Sequence, residues 1–222
     1  MNRGEKARDC LEALKGYIAP AQNFVCADRE GRIVYHHAGL FPDRNGRDGR
    51  FIFEASRDAD IWQGALPAEE NPTLETSTNP VITANQALFN GPGLARYGWF
   101  YTPPFRALEI RAKIDEKKLL SPEDVIAIQA DTSSFLAQRF KKVVLREFAT
   151  GPLKEVASEP VCGNKDRPSV KVLLESWNGE YDGANTSAPL FHRWLKTLEE
   201  MTWTRVIGPA TETYWPNAWR LA

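Results

Sequence analysis

Apolar and polar positions along this chain repeat at two spacings, and each spacing predicts a type of element. Ala7, Cys10, Leu11 and Leu14 lie on one face of a short helix over 5–16, which Gly16 stops. Pro20 prevents any continuation. The pattern then changes to alternation. Asn23 to Asp28 and Arg32 to His37 read as two strands, with Phe24, Cys26, Ile33 and Tyr35 assigned to faces by period two. Asp28-Arg29-Glu30-Gly31 between them suits a type I turn followed by a bulge. Residues 39–49 read as a charged loop, and Phe51-Ile52-Phe53 as a brief strand or core contact. Residues 54–78 are turn-rich, with Trp62 and Leu66 as buried anchors, and 69–79 reads as an ordered surface loop.

Asn79-Pro80 is a turn signal, and Val81-Ile82-Thr83 reads as a short buried strand that delivers Asn85 and Gln86 at its end. A Gly/Pro/aromatic loop leads to a helix beginning near Phe105, with Arg106, Ile110 and Ile114 at helical spacing. Ser121-Pro122-Glu123-Asp124 has the form of a helix start: a cap, proline in the first turn, and acids beside it. The stripe Val125, Ile128, Thr132, Phe135, Leu136, Phe140 and Val143 predicts one helix to about Phe148. Gly151-Pro152 breaks it. A polar linker over 153–169 precedes a helix from Ser169 to Trp177 and a turn cluster over 178–183. Ser187 to Trp203 forms the next helix, with Leu190, Phe191, Trp194, Leu195 and Leu198 on its apolar face. Trp215 and Trp219 predict that the tail docks on a surface.

Composition removes several function classes. The 222 residues carry a net charge of −1, so nothing favours nucleic acid or an anionic membrane. No apolar run approaches the roughly 20 residues needed to span a bilayer. Residues 1–10 are too charged for a signal peptide. The three cysteines, Cys10, Cys26 and Cys162, suggest neither a disulfide framework nor a metal pattern. Each is expected as a reduced thiol, with Cys26 buried.

Candidate chemistry is sparse. His36 and His37 point to opposite faces of their strand and cannot act as a pair; a buried, hydrogen-bonded imidazole outweighs a functional one. His192 reads as packing or surface. Gly91-Pro92-Gly93 is a turn, because proline removes an amide that a phosphate would need. Asp28, Asp43 and Asp48 read as solvated carboxylates and not as a cation site. An uncharged amide at Asn85 and a guanidinium at Arg106 suit one pocket. On residue chemistry alone, a structural Asn and a surface-paired Arg outweigh that reading.

The order of several segments adds a resemblance. Gln22-Asn23-Phe24-Val25-Cys26-Ala27-Asp28 with Gly31 and Ile33, then Gly39-Leu40-Phe41-Pro42, Trp62-Gln63-Gly64, and Asn79-Pro80 leading to Ala84-Asn85-Gln86 and Arg106 with Ile110, resemble the penicillin acylase family of N-terminal-nucleophile hydrolases. Ser121-Pro122-Glu123-Asp124 and Leu174-Glu175-Ser176-Trp177-Asn178-Gly179 extend the match over roughly residues 20–205. The resemblance implies an α+β fold: part of an αββα core with mixed or antiparallel strands covered by helices. The whole of 1–222 is then a β-subunit segment, strand-rich over 20–90 and helix-rich over 104–205. It implies an amide hydrolase whose oxyanion is held by the asparagine matched at Asn85. Arg106 helps to organise the site, and Ala84 lines the substrate pocket. An asparagine amide suits that role because it donates without a charge that would bind the ground state.

The family nucleophile is the N-terminal residue of the β chain, usually serine, with its own α-amine as base. Here only about twenty residues precede the Asn-Phe hairpin, and Cys10 lies within a predicted helix. The nucleophile is therefore expected from another chain or from elsewhere in the gene. Partners expected are a complementing acylase chain or a second copy, and a small-molecule amide, either a β-lactam acyl side chain or an acyl-homoserine lactone. No metal or other cofactor, no nucleic acid and no membrane are expected. Family members are commonly periplasmic. The alternative is a non-catalytic remnant that binds a partner or ligand.

Overall fold

A computed structural model describes residues 4–209, apart from positions 48, 59, 60, 88 and 164. The tail carrying Trp215 and Trp219 lies outside the described residues. The chain is α+β and divides into two compact units, Met1–Thr102 and Pro103–Ala222.

The first unit is built on a three-stranded antiparallel sheet in the order β1-β2-β3, with β1 Gln22–Ala27, β2 Ile33–Ala38 and β3 Thr73–Thr76. The hairpin forms as its turn residues dictate. Gly31 takes φ +80°, which a side chain would resist, and its N–H bonds Asp28 O at 3.1 Å. Asp28 Oδ1 also accepts the N–H groups of Glu30 and Arg32, and Oδ2 that of Ala7. Those three donors hold its carboxyl below the usual carboxylate range. The residue read as a solvated carboxylate thus organises the turn. As the central strand, β2 buries Val34, Tyr35 and Ala38. Helix α1, Asp9–Leu14, covers this sheet with Cys10 and Leu14.

Six sequence readings need correction in this unit. Cys10 and Cys26 are joined as a disulfide, their Cα atoms 6.5 Å apart, because α1 packs directly over the hairpin. Cys26 is only half-buried. Thr73–Thr76, read as loop, pairs with β2 as an edge strand: its polar threonines suit a solvated edge. Val81-Ile82-Thr83 forms no ladder, since the Ile82 carbonyl is taken by the Gln86 side chain at 2.8 Å. Phe51 and Ile52 are exposed, as is Trp62, whereas Leu66 is buried as expected.

The second unit is helical. Helix α2 spans Phe105–Asp115 and α3 Pro122–Ala130. Ser121 and Asp124 close a capping box, and the Lys117 ammonium holds the Asp124 carboxyl down to about 2. The long helix of the sequence reading is interrupted. Asp131 Oδ1 turns back to accept the Ser133 N–H at 2.8 Å, and Ser134 caps a new helix, α4, Phe135–Thr150. The interruption is bonded from outside as well: Ser134 N donates to Gly179 O, and Tyr181 N to Thr132 O. Consequently the buried face of α4 is Ala137, Val144 and Phe148, and Val143 is exposed.

Helix α5, Val170–Ser176, is capped by Ser169, and α6, Ser187–Ile207, by the Asn185 carboxamide before it. Gly208 at φ +57° ends α6. The core between α4, α5 and α6 centres on Trp177, 2 % exposed, with Phe191 at 5.1 Å and Tyr181 at 5.5 Å between ring centroids. Its indole N–H donates to Glu180 O at 2.8 Å, so the ring also fixes the 178–183 turn. Replacing Trp177 by alanine is expected to cost about 3–5 kcal/mol of stability, read as a lower urea midpoint with the loss of near-ultraviolet ellipticity.

Candidate functional site

The segment 82–86 folds into a tight turn without a ladder. Gln86 supplies two bonds to it: Oε1 accepts the Ala84 N–H at 2.6 Å, and Nε2 donates to Ile82 O at 2.8 Å. Thr102 supplies two more from the far end of the loop. Its hydroxyl donates to Ala84 O at 3.1 Å, and its N–H to Asn85 O at 2.8 Å. Within this frame Asn85 takes φ +67°, the left-handed region that Asn enters more readily than other side chains. Asn85 is exposed, and Ala84 beside it is half-buried. Four hydrogen bonds to residues 82, 84 and 85 make this a shaped turn and not a slack loop.

Arg106 lies in the other unit, at the second position of α2, and is exposed. It borders a cleft of about 230 Å³ between α2 and the α3–α4 break, with Phe105 and Phe135 stacked at 6.4 Å on one wall. Glu109, Lys113, Asp131 and Ser133 form the polar wall. Lys113 Nζ pairs with Asp131 at 2.9 Å, and Ser133 Oγ donates to Glu109 Oε1 at 2.9 Å. The second oxygen of Glu109 is buried without a hydrogen-bond partner.

Behind the Asn85 turn the sheet carries a polar cluster. Asn23 and His37 are opposite one another across β1 and β2. Asn23 Oδ1 accepts the Tyr35 hydroxyl at 2.8 Å and the His37 Nδ1–H at 2.7 Å, and Nδ2 donates to Thr83 Oγ1 at 3.1 Å. His37 is buried and stacks on Phe41, ring centroids 4.9 Å apart, with Tyr97 edge-on to both. Burial, and secondarily the neighbouring His36, push the His37 imidazole below its ordinary value. Burial pushes the Tyr35 phenol up.

None of this activates a nucleophile. His36 Nδ1 meets Thr73 Oγ1 at 2.9 Å, but that hydroxyl donates to Asn71 O, so the imidazole is the donor and takes no proton. The Thr102 hydroxyl is spent on Ala84 O. Among the described residues no group of three or more His, Cys, Asp or Glu is placed to hold a metal. No described helix is long and apolar enough to cross a membrane. Sequence reasoning missed Asn23 and Thr83. The observed register places Asn23 against His37, and two polar side chains at the far ends of the two predicted strands are the signal that points to Asn23.

Comparison with known proteins supplies the context. The family model described as penicillin amidase matches residues 1–221. Penicillin G acylase of Escherichia coli is 25% identical over 190 residues, covering 81% of this chain and 21% of the relative. The chain therefore spans about a fifth of the length of that curated relative. A thermostable penicillin G acylase from Alcaligenes faecalis superposes with a TM-score of 0.63 at 18% identity, over 95% of this chain and 38% of that one. At that identity the likeness shows the fold.

The buried imidazole has a consequence for stability. The folded state holds His37 neutral below the ordinary imidazole value of 6.5, so the unfolded chain binds the extra proton first. Stability is expected in full above that value and to fall as pH drops through it, read as a falling midpoint in urea denaturation. Glu199 on α6, pushed up by burial, acts in the opposite sense. The His37→Gln variant isolates the imidazole and should show the shallower acid loss.

Proposed function

Because this chain belongs to the penicillin amidase family, we propose that it forms the anion-stabilising part of an acylase that hydrolyses small-molecule amides. In the proposed reaction a nucleophilic oxygen, from another chain or from a part of the gene outside these 222 residues, attacks the amide carbonyl carbon. Its proton passes to the α-amine of the same residue, an amine with an ordinary pKa of about 8. The carbonyl oxygen becomes an oxyanion, to which Asn85 Nδ2–H donates. As the C–N bond breaks, the amine leaves with that proton, and water then hydrolyses the acyl ester. Arg106 helps to organise the site and orient the substrate, and Ala84 lines the acyl pocket. The substrates proposed are β-lactam acyl side chains or acyl-homoserine lactones.

The observation that carries this reading is the turn at 82–86. An oxyanion donor is effective when it is aimed before charge develops, so that no reorganisation is needed at the transition state. Gln86 and Thr102 provide that rigidity at the one position where the family resemblance puts the amide. A partner chain is supported by the first unit's surface. Phe51, Ile52, Trp62 and Phe100 are 70%, 102%, 66% and 77% exposed, more large apolar side chain than a solvated surface usually leaves bare. Arg50 lies over Trp99 at 4.3 Å and Arg47 over Phe53 at 5.0 Å, which pre-forms parts of that surface. The complementing acylase chain is the occupant proposed, and self-association the fallback for the chain alone. The Cys10–Cys26 disulfide suits an oxidising compartment, in keeping with a periplasmic enzyme.

The test is turnover of chromogenic phenylacetyl and fatty-acyl amides by this chain mixed with a serine-led acylase chain. Asn85→Ala is expected to lower kcat by about 10²–10³-fold with KM little changed. Unchanged turnover in that variant would remove Asn85 from the mechanism. No turnover with any complement, together with retained binding of the amide or of a partner, would favour a non-catalytic binding module.

A further inference from the structure

We propose that Asn23 is the positioning residue for the Asn85 turn, acting through Thr83, with Tyr35 and His37 fixing the direction of its carboxamide. The inference rests on the reading of Asn85 as the oxyanion donor and adds residues to it.

The backbone groups of the Asn85 turn are satisfied locally by Gln86 and Thr102, both within the same loop. Such a loop can be stiff within itself and still tilt as a whole. An oxyanion donor needs its place fixed against the scaffold, because an error of about 1 Å weakens the bond it makes to the transition state. One tie to the scaffold is Asn23 Nδ2 to Thr83 Oγ1, 3.1 Å, from the first strand to the residue that enters the turn.

Asn23 is equipped to be rigid. It lies in the ladder opposite His37, and Tyr35, two residues along β2, reaches the same face. Both donate to its oxygen, at 2.7 Å and 2.8 Å, filling both lone pairs. Its nitrogen is thereby turned towards Thr83. His37 and Tyr35 are themselves 9% and 8% exposed, and His37 is held between Phe41 and Tyr97. Two buried side chains thus hold one half-buried amide, which holds the hydroxyl at the mouth of the turn. Nothing in this relay touches substrate; it acts through Asn85.

The protein contains its own reporter. The Thr102 N–H bonds Asn85 O, so its hydrogen exchange reads the integrity of the turn without any activity. Thr83 is exposed, so Thr83→Val removes the bond and leaves the core intact. In the full chain, exchange at Thr102 is expected to quicken about fivefold in Thr83→Val, the worth of one ordinary hydrogen bond, while the β1–β2 ladder amides keep wild-type rates. Asn23→Leu should do the same, and Asn23→Asp, whose carboxylate can still accept both donors and the Thr83 hydroxyl, should retain wild-type exchange. With the complementing chain, Thr83→Val is expected to lower kcat about fivefold at unchanged KM.

Wild-type exchange at Thr102 in Thr83→Val overturns the proposal. So does loss of protection spread equally over the whole ladder, which marks general destabilisation. If Asn23→Leu fails to fold, Thr83→Val alone decides. If exchange responds as expected but Asn85→Ala leaves kcat unaltered, the oxyanion reading fails and the positioning of the turn stands on its own. If Asn85→Ala abolishes turnover and Thr83→Val leaves kcat at wild type, the positioning role fails.

Discussion

A chain with little regular ladder can fold only if side chains satisfy the backbone groups that sheet and helix would otherwise pair. That requirement governs this protein. The sheet has three short strands, and the stretch between β3 and α2 runs through more than twenty residues with a single 3-10 turn among the described residues. Amides, carboxylates and hydroxyls take up the bonds. Asp28 collects three N–H groups at the hairpin, and buried Asn71 holds Gly39 O at 3.0 Å. Gln86 folds the turn beneath Asn85, and Asn185 receives two N–H groups at the start of α6. Each of these contacts is modest by itself, on the order of 1 kcal/mol. Removing one leaves a backbone group stranded, which costs more than the bond was worth.

The same requirement explains where sequence reading succeeded. Elements whose backbone bonds are internal announce themselves through periodicity. The β1–β2 hairpin was legible from alternation and from Asp28 to Gly31, and α2 and α6 from residues at helical spacing. Elements shaped by side chains were not. The apolar stripe continues in phase across residues 131–134, so periodicity joined α3 to α4. The Asp131 and Ser134 side chains ended one helix and began the next. Val81 to Thr83 has strand composition, yet Gln86 takes the carbonyl a partner strand would need. Thr73–Thr76 has the opposite history: a polar edge strand is indistinguishable from a loop until its partner is known. Trp62 reads as an anchor by size alone, and it is exposed.

The candidate site was legible only in part, for a related reason. Residue chemistry does not separate an asparagine that stabilises an oxyanion from one that caps a turn, since both jobs use the same amide. Asn85 and Arg106 were singled out through the order of surrounding segments. What that order could not reveal was the backbone conformation at Asn85 or the cluster at Asn23, which depend on pairing across the hairpin. Arg106 illustrates the limit from the other side. Its helix was predicted with ease, but its surroundings, an aromatic pair and a Lys113–Asp131 ion pair beside Glu109, come from the α3–α4 break that periodicity missed.

The left-handed conformation at Asn85 gives the last step. A non-glycine residue there costs about 1 kcal/mol or more, and such a residue persists only where its surroundings over-determine it. A glycine would take the same φ without cost and would satisfy the same backbone bonds to Thr102. The backbone therefore explains the turn but not the choice of asparagine. What asparagine adds over glycine is a carboxamide, here on an exposed position. In the proposed reaction that carboxamide is the oxyanion donor, a role for which the backbone conformation of residue 85 sets the starting point of the side chain.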